Sequence, residues 1–340
     1  MGGTSFSRDD YSARTTSRAS SAKGTFAYDY DIRTGAVDAK VHDSLSPKNL
    51  KTRESRDSAE HAVTVPIGIT LDTTGSMQDV PKMIQKALPK LMGSFLDDKA
   101  SGKKYLGDGY PAILISAVDD YDAQYRSYKG EGCLQVGQFE SGIEIDDNLT
   151  NLWFTGNGGG TYSESYELAL YVAARHTVHD HFEKRGRKGY WFIIGDEYAY
   201  PRVSKKQVAD IIGASIQDDI SLEDIIAEVQ EKYHLFFVLP NMTSHYRDEK
   251  LYKTWEKLLG QQNVMRLDDP DKICELIVGA VALCEEFVGI DDLAADLGAG
   301  AYTKALVPLS KSASTGGAVS RFSATGLPTV SGASGGSKRL

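Results

Sequence analysis

From residue 64 onward, short apolar runs with the length of β-strands alternate with amphipathic stretches of helical period, and few folds accept that order. Strands are predicted over 64–72, 112–118, 133–139, 190–194, 235–239 and 264–267, and helices over about 80–97, 163–183, 204–215, 222–232, 248–259 and 271–287. The first of these helices carries Val80, Met83, Ile84, Ala87, Leu88, Leu91 and Met92 at three- and four-residue steps, with Pro89 predicting a kink. Runs such as Ile113-Leu114-Ile115 and Leu235-Phe236-Phe237-Val238-Leu239 are apolar on both faces, as in parallel strands covered by helices on each side. The polar link with Gly130 and Gly132 between the second and third strands reads as hairpin-like, because a parallel crossover normally needs a helix. The expected fold is therefore α/β and doubly wound: a mostly parallel sheet of about six strands, one antiparallel edge strand, and helices on both faces. Ligands of such a sheet bind beyond the carboxyl ends of the strands, where the winding direction reverses.

The 340 residues, 41% hydrophobic, suffice for one well-filled core. Residues 1–61 are rich in Ser, Thr, Arg and Asp without an apolar period, so they are expected to be largely disordered, with local order near 25–39. The folded domain is expected over 62–290, and 291–340 as a flexible basic tail rich in Gly, Ser and Ala. The net charge of −9 is unevenly spread, since residues 301–340 contain Lys304, Lys311, Arg321, Lys338 and Arg339 and no acidic residue. An acidic body argues against nucleic acid as the main ligand, which clustered Lys and Arg would bind. No apolar stretch reaches the roughly 20 residues of a membrane-spanning helix, and residues 1–21 are polar where a secretory leader would be apolar. A soluble, cytoplasmic protein is expected. Three cysteines, Cys133, Cys274 and Cys284, suit a reducing compartment and form no CxxC pair; the last two lie too far apart on one predicted helix to be bridged.

The chemistry gathers where strands end. The first strand closes in Leu71-Asp72-Thr73-Thr74-Gly75-Ser76-Met77, which sets a carboxylate and two hydroxyls, Asp72, Thr74 and Ser76, at alternate positions of one turn. Hard divalent cations take oxygen ligands, and Mg²⁺ keeps several of its waters, so few carboxylates with neutral hydroxyls suffice. Two more loops qualify by position: Gly158-Gly159-Gly160-Thr161 before a helix, and Ile193-Ile194-Gly195-Asp196-Glu197 after the fourth strand.

Asp-x-Thr-x-Ser after the first strand, a Gly-rich loop ending in Thr, and Asp after a later strand resemble the metal-ion-dependent adhesion site of von Willebrand factor A domains, of an intracellular bacterial or phage type. The resemblance covers roughly residues 62–288, with all five motif positions filled in order. It implies that Asp72, Thr74 and Ser76 form the first metal loop, Thr161 the second and Asp196 the third. It further implies Mg²⁺ as the ion, with Mn²⁺ or Ca²⁺ as alternatives, and a ligand carboxylate completing its shell. The function so implied is metal-dependent protein recognition without catalysis, the partner being a protein that offers an Asp or Glu side chain. An ATPase of the AAA+ class or a component of a bacterial stress or conflict system is such a partner by analogy. Thr74 stands where Ser is commoner, Glu197 follows Asp196 where Gly is frequent, and the paired acids Asp119 and Asp120 end the second strand as possible outer groups of the site.

Each motif has a simpler explanation to be weighed. Asp72 to Ser76 can cap a following helix, and Thr161-Tyr162-Ser163-Glu164 has the spacing of a capping box. Asp72-Thr73-Thr74-Gly75-Ser76 is distantly similar to the phosphorylated loop of ion-pumping ATPases, which makes Asp72 a nucleophile in a rival, phosphoryl-transfer reading, but the Lys of that loop is missing. A third reading lets the metal only stabilise a structural or assembly protein. Segment 156–160 lacks the Gly-Lys-Ser/Thr ending of a phosphate loop. His176, His179 and His181 read as a helix-end cluster suited to the helix dipole rather than a zinc site, and Tyr166, Leu170, Ala173 and Ala174 as a core-facing stripe.

Overall fold

The computed structural model describes residues 7–21, 23–24, 26–96, 103–156, 160 and 162–314. Its centre is a six-stranded sheet built from β1 (Thr64–Asp72), β2 (Tyr110–Val118), β3 (Leu134–Val136), β4 (Gly189–Ile194), β5 (Tyr233–Pro240) and β6 (Val264–Leu267). The principal helices are α1 (Val80–Leu96), α2 (Tyr166–Arg175), α3 (Leu222–Lys232), α4 (Glu249–Leu259), α5 (Ile273–Cys284), α6 (Ile290–Leu297) and α7 (Ala301–Ser314).

The spatial order is β6-β5-β4-β1-β2-β3, parallel throughout except for β3, which runs antiparallel to β2 at the edge. This is the doubly wound sheet that the strand–helix alternation predicts. Successive residues of a strand face opposite sides, so the two-sided apolar runs feed two cores. Ile67, Ile69, Ile113, Phe192 and Phe236 pack with α1 and α5 on one face. Leu114, Trp191, Ile193, Leu235 and Phe237 pack with α2, α3 and α4 on the other. The chain leaves β1 towards β2 and β3, then crosses to β4, β5 and β6 on the opposite side. The winding therefore reverses between β1 and β4.

Three segments depart from the sequence reading. Within 163–183 the chain is not one helix: α2 ends at Arg175, Thr177–His179 is a short strand, and Asp180–Glu183 is a separate turn of helix. The β-branched Thr177 and Val178 pair in parallel with Arg53–Ser55, and that pairing interrupts the helix. The second departure follows from this, since residues 26–61 lie against the body rather than free of it. Val41, Leu45 and Leu50 are buried, Asp57 is gripped by Arg185 at 2.8 Å, and Arg56 reaches Asp180 at 2.8 Å. Burial alone would push the Asp57 carboxyl up, but the Arg185 guanidinium, the Thr64 N–H and the Lys184 ammonium outweigh it and hold that carboxyl well below the usual range. Isolated apolar anchors joined by ion pairs have no period, which is why the segment looks unstructured in sequence.

The third departure is at the other end. Residues 290–314, read as part of a flexible tail, form α6 and α7 and cover α5, burying Leu293, Tyr302 and Leu306 completely. Gly279 permits the approach, because a Cβ there would stand 2.5 Å from Leu306 Cδ1. Residues 315–340 lie outside the described part. If α7 is an integral layer, Leu306→Ala leaves a cavity against α5 and costs about 2–4 kcal/mol in urea unfolding; an unchanged midpoint would return α7 to the status of a tail.

Candidate metal centre

The register of the two central strands builds the site. Leu71 of β1 lies opposite Ile194 of β4, so Asp72 emerges beside Gly195 and Asp196 follows one residue later at the same carboxyl-terminal edge. Both aspartates are fully buried. Beyond Asp72 the chain turns through a single 3₁₀ turn, Gly75–Met77, which brings the alternate side chains Thr74 and Ser76 to the same side.

Four oxygens then stand in a row. Thr74 Oγ1 lies 2.6 Å from Asp72 Oδ1, Thr74 Oγ1 and Ser76 Oγ are 3.0 Å apart, and Ser76 Oγ lies 2.7 Å from Asp196 Oδ1. Such a row has three links to fill, and its two hydroxyls carry one hydrogen each. With both carboxylates ionised one link is left without a hydrogen, so two lone pairs face each other in a buried place. The row is complete only when a carboxyl holds a proton or a cation lies against the oxygens. Burial, and then the neighbouring charge of Asp196, push the Asp72 carboxyl up to about 8, which is the proton solution to the same deficit.

The rest of the shell is supplied from a distance along the chain. Asp72 Oδ1 also accepts from the Thr74 backbone N–H at 2.9 Å, while Asp72 Oδ2 accepts from the phenol of Tyr166. Gly195 makes room for that phenol, since a Cβ at 195 would fall 2.1 Å from the Tyr166 hydroxyl. Asp196 Oδ2 accepts from the His245 backbone N–H at 3.1 Å, and the Ser244 N–H donates to the Ser76 carbonyl at 3.1 Å. The loop after β5 thus braces two of the candidate metal loops, a role with no signal in its sequence. Tyr166 is a core residue, as its spacing predicts, yet its hydroxyl serves the site. Its one sequence signal is a position just inside the helix that follows the Gly-rich loop.

The structure thus brings together Asp72, Thr74, Ser76 and Asp196. Thr161, Gly158 and Gly159 lie outside the described residues, although a Cβ on Gly75 would come within 3.2 Å of the Gly156 carbonyl, so the second loop begins against the first. The capping-box reading of Thr161 to Glu164 meets a different arrangement. Ser163–Glu164 pairs in parallel with Tyr198–Ala199, and α2 starts at Tyr166 after Ser165, whose side chain makes no cap bond. Asp119 and Asp120 are buried at the end of β2. Asp119 accepts from the Asp120 N–H at 2.6 Å and from Thr155, and burial raises its carboxyl to about 7. Asp120 accepts from the Asp122 N–H and the Tyr200 hydroxyl, each at 2.8 Å. Glu164 is buried as well, and that burial, followed by the charges of Asp72 and Asp119, drives its carboxyl far upward. Glu197 stands 3.6 Å from His245 Nε2, with its carboxyl raised by burial and by Asp196.

The histidines are a correction. His179 and His181 are buried off the long helix, and burial, reinforced by Lys232 and Arg187 respectively, lowers each to about 3. Both are neutral at pH 7 and add no positive charge to a helix end. Among the described residues no three His, Cys, Asp or Glu side chains converge at metal-ligating geometry. The donor set of the candidate centre is therefore two carboxylates and hydroxyls, an oxygen set that fits a hard divalent cation and not a thiolate or imidazole site.

No family model matches the chain, and no curated protein matches it. Among solved structures it is similar to proximal thread matrix protein 1 of the mussel byssus, with TM-score 0.39 and 10% identity over 65% of this chain and 48% of that one. It is also similar to the pilus adhesin SpaC of Lactobacillus rhamnosus GG, with TM-score 0.40 and 10% identity over 68% and 31% of the two chains. A third is the vWF domain of the type V pili tip protein Mfa5 from Porphyromonas gingivalis, with TM-score 0.37 and 10% identity over 64% and 95%. The chain spans about half the length of the mussel protein. At this degree of likeness the fold and the site rest on the chain's own topology and geometry.

Two outcomes follow. Tyr166→Phe removes one donor from Asp72 and should weaken Mg²⁺ binding about tenfold by calorimetry while the fold persists; unchanged affinity would reduce Tyr166 to packing. The second concerns pH. The raised Asp72 carboxyl holds a proton that a metal must displace, so affinity should fall about tenfold per unit as pH drops below about 8 and level off above it. Calorimetry in buffers of different ionisation enthalpy should show proton release at pH 7; a pH-independent affinity with no released proton would contradict this.

Proposed function

We infer that this chain is a divalent-metal-dependent protein-recognition module, which holds Mg²⁺ at the switch point of its sheet and captures an acidic side chain of a partner protein. The observation that carries the reading is the row of four oxygens with one hydrogen too few, assembled from two strands that end side by side. Asp72, Thr74, Ser76, Thr161 and Asp196 would hold the ion, with Mn²⁺ or Ca²⁺ as alternatives to Mg²⁺. The bound ion supplies a fixed positive charge with coordination positions left over for a carboxylate. The partner is proposed on this chemistry alone.

Catalysis through Asp72 finds no support in the geometry. A nucleophile must present a free oxygen, whereas Asp72 is fully buried and accepts three hydrogen bonds, from Thr74 N, Thr74 Oγ1 and Tyr166. The same three bonds argue for a rigid site, since each comes from Asp72's own turn or from the start of α2. Among the described residues no helix is long and apolar enough to cross a membrane.

Thermal melts in Mg²⁺ and in EDTA test the reading. A ligand that binds only the folded state, at a hundredfold over its dissociation constant, stabilises by about 2.7 kcal/mol. The wild-type chain should show that gain and Asp72→Ala should not. Equal shifts in both proteins would remove the metal from this site. Partner capture that persists in EDTA would leave the metal in place and take it out of recognition.

A further inference from the structure

Two loops beside the candidate metal centre present exposed apolar side chains that no packing requirement explains. Most large apolar residues of the chain are buried, but Tyr162 is 62% exposed and Met242 is 47% exposed. Both also have left-handed backbones, with φ of 58° and 72°. That region disfavours residues with a large side chain and is visited mainly by Gly, Asn and Asp. Among the described residues these are the only two that combine exposure of a large apolar group with a left-handed φ. Gln78, at the end of the first loop of the site, also has a positive φ, 50°, with ψ of −121°. Strain of this kind persists only where the surroundings over-determine it, and it gathers at ligand clamps.

The surroundings do over-determine it. The Tyr162 carbonyl accepts from the Tyr198 N–H at 3.2 Å, and its ring meets the His245 ring edge-on at 5.3 Å. Met242 lies in the loop after β5, where the Asn241 side chain accepts from the Met242 N–H at 2.9 Å and donates to the Asp268 carbonyl at 3.0 Å. The same loop continues into Ser244 and His245, which brace Ser76 and Asp196. Tyr162 thus packs on His245, and Met242 lies two residues before Ser244, so both adjoin the loop that braces Ser76 and Asp196. Burying an exposed apolar group against a partner gains free energy that offsets the side-chain entropy lost.

We propose that Tyr162 and Met242 form the apolar half of the ligand site, so that the recognised segment carries a large apolar side chain next to the acidic residue that meets the metal. This rests on the recognition reading above. The carboxylate supplies metal dependence, and the flanking side chain supplies the choice among acidic segments.

A peptide array tests it with the full chain. The probes are immobilised Gly-Ser-X-Asp-X-Ser-Gly peptides, and their Glu counterparts, with X varied over all residues, incubated with the protein in Mg²⁺ and in EDTA. The comparison protein is the double variant Tyr162→Asn, Met242→Asn, because Asn accepts the left-handed backbone and removes the apolar groups. Wild type should show EDTA-sensitive capture favouring Leu, Met or Phe at X by about tenfold over Ser. The double variant should lose that preference, keep its weak capture of Ser-flanked peptides, and bind Mg²⁺ in calorimetry within about twofold of wild type. EDTA-sensitive capture without a flank preference, or a preference that survives in the double variant, overturns the rim and leaves the recognition reading standing. Absence of any EDTA-sensitive capture, with Mg²⁺ still bound in calorimetry, overturns both.

Discussion

Two aspartates are buried side by side at the ends of neighbouring parallel strands, and the rest of the site is a response to that placement. Carboxylates so close and so dry cannot both be ionised without compensation. Thr74 and Ser76 relay hydrogen bonds between them but bring one hydrogen fewer than the links require. Tyr166 and the His245 N–H occupy the outward lone pairs of the two groups. What is left is a patch of oxygen lone pairs that either a proton or a cation completes. The metal affinity proposed for the site and its raised acidity would therefore be two views of one deficit.

The sheet makes the deficit possible. A parallel sheet buried on both faces brings every strand end to one edge, and the reversal between β1 and β4 parts the loops there without a crossing connection. The two cores hold these strands in register, with Leu71 opposite Ile194. The added layers at the chain's ends act at a distance from the site. The pairing of Arg53–Ser55 with Thr177–His179 and the packing of α6 and α7 on α5 enlarge the body.

The strands were legible because their apolar runs are continuous, and Asp72, Thr74, Ser76 and Asp196 were legible because they follow those runs within a few residues. Position at a strand end is a local property, readable from one stretch of sequence. Tyr166, Ser244 and His245 act through contacts some tens of residues away or more, and Tyr166 is masked by an apolar spacing that is itself correct. Local order is legible near 25–39, where Ala27–Arg33 is helical, but residues 40–61 escape for another reason. Val41, Leu45 and Leu50 anchor them singly, and ion pairs such as Asp57 with Arg185 do the remainder, so neither a helical nor a strand period exists to be found. The helical pattern over 163–183 runs past the end of α2 because Thr177 and Val178 are compatible with helix until a partner strand is available.

Direct observation of the ion decides the matter. Crystals grown without metal and soaked in Mn²⁺, measured for anomalous scattering, should show one strong peak within bonding distance of Thr74 Oγ1 and Ser76 Oγ, with Asp72 and Asp196 beside it. A well-ordered site with no anomalous peak there, or a peak only elsewhere on the molecule, would contradict a metal centre and leave the buried proton as the sole answer to the missing hydrogen.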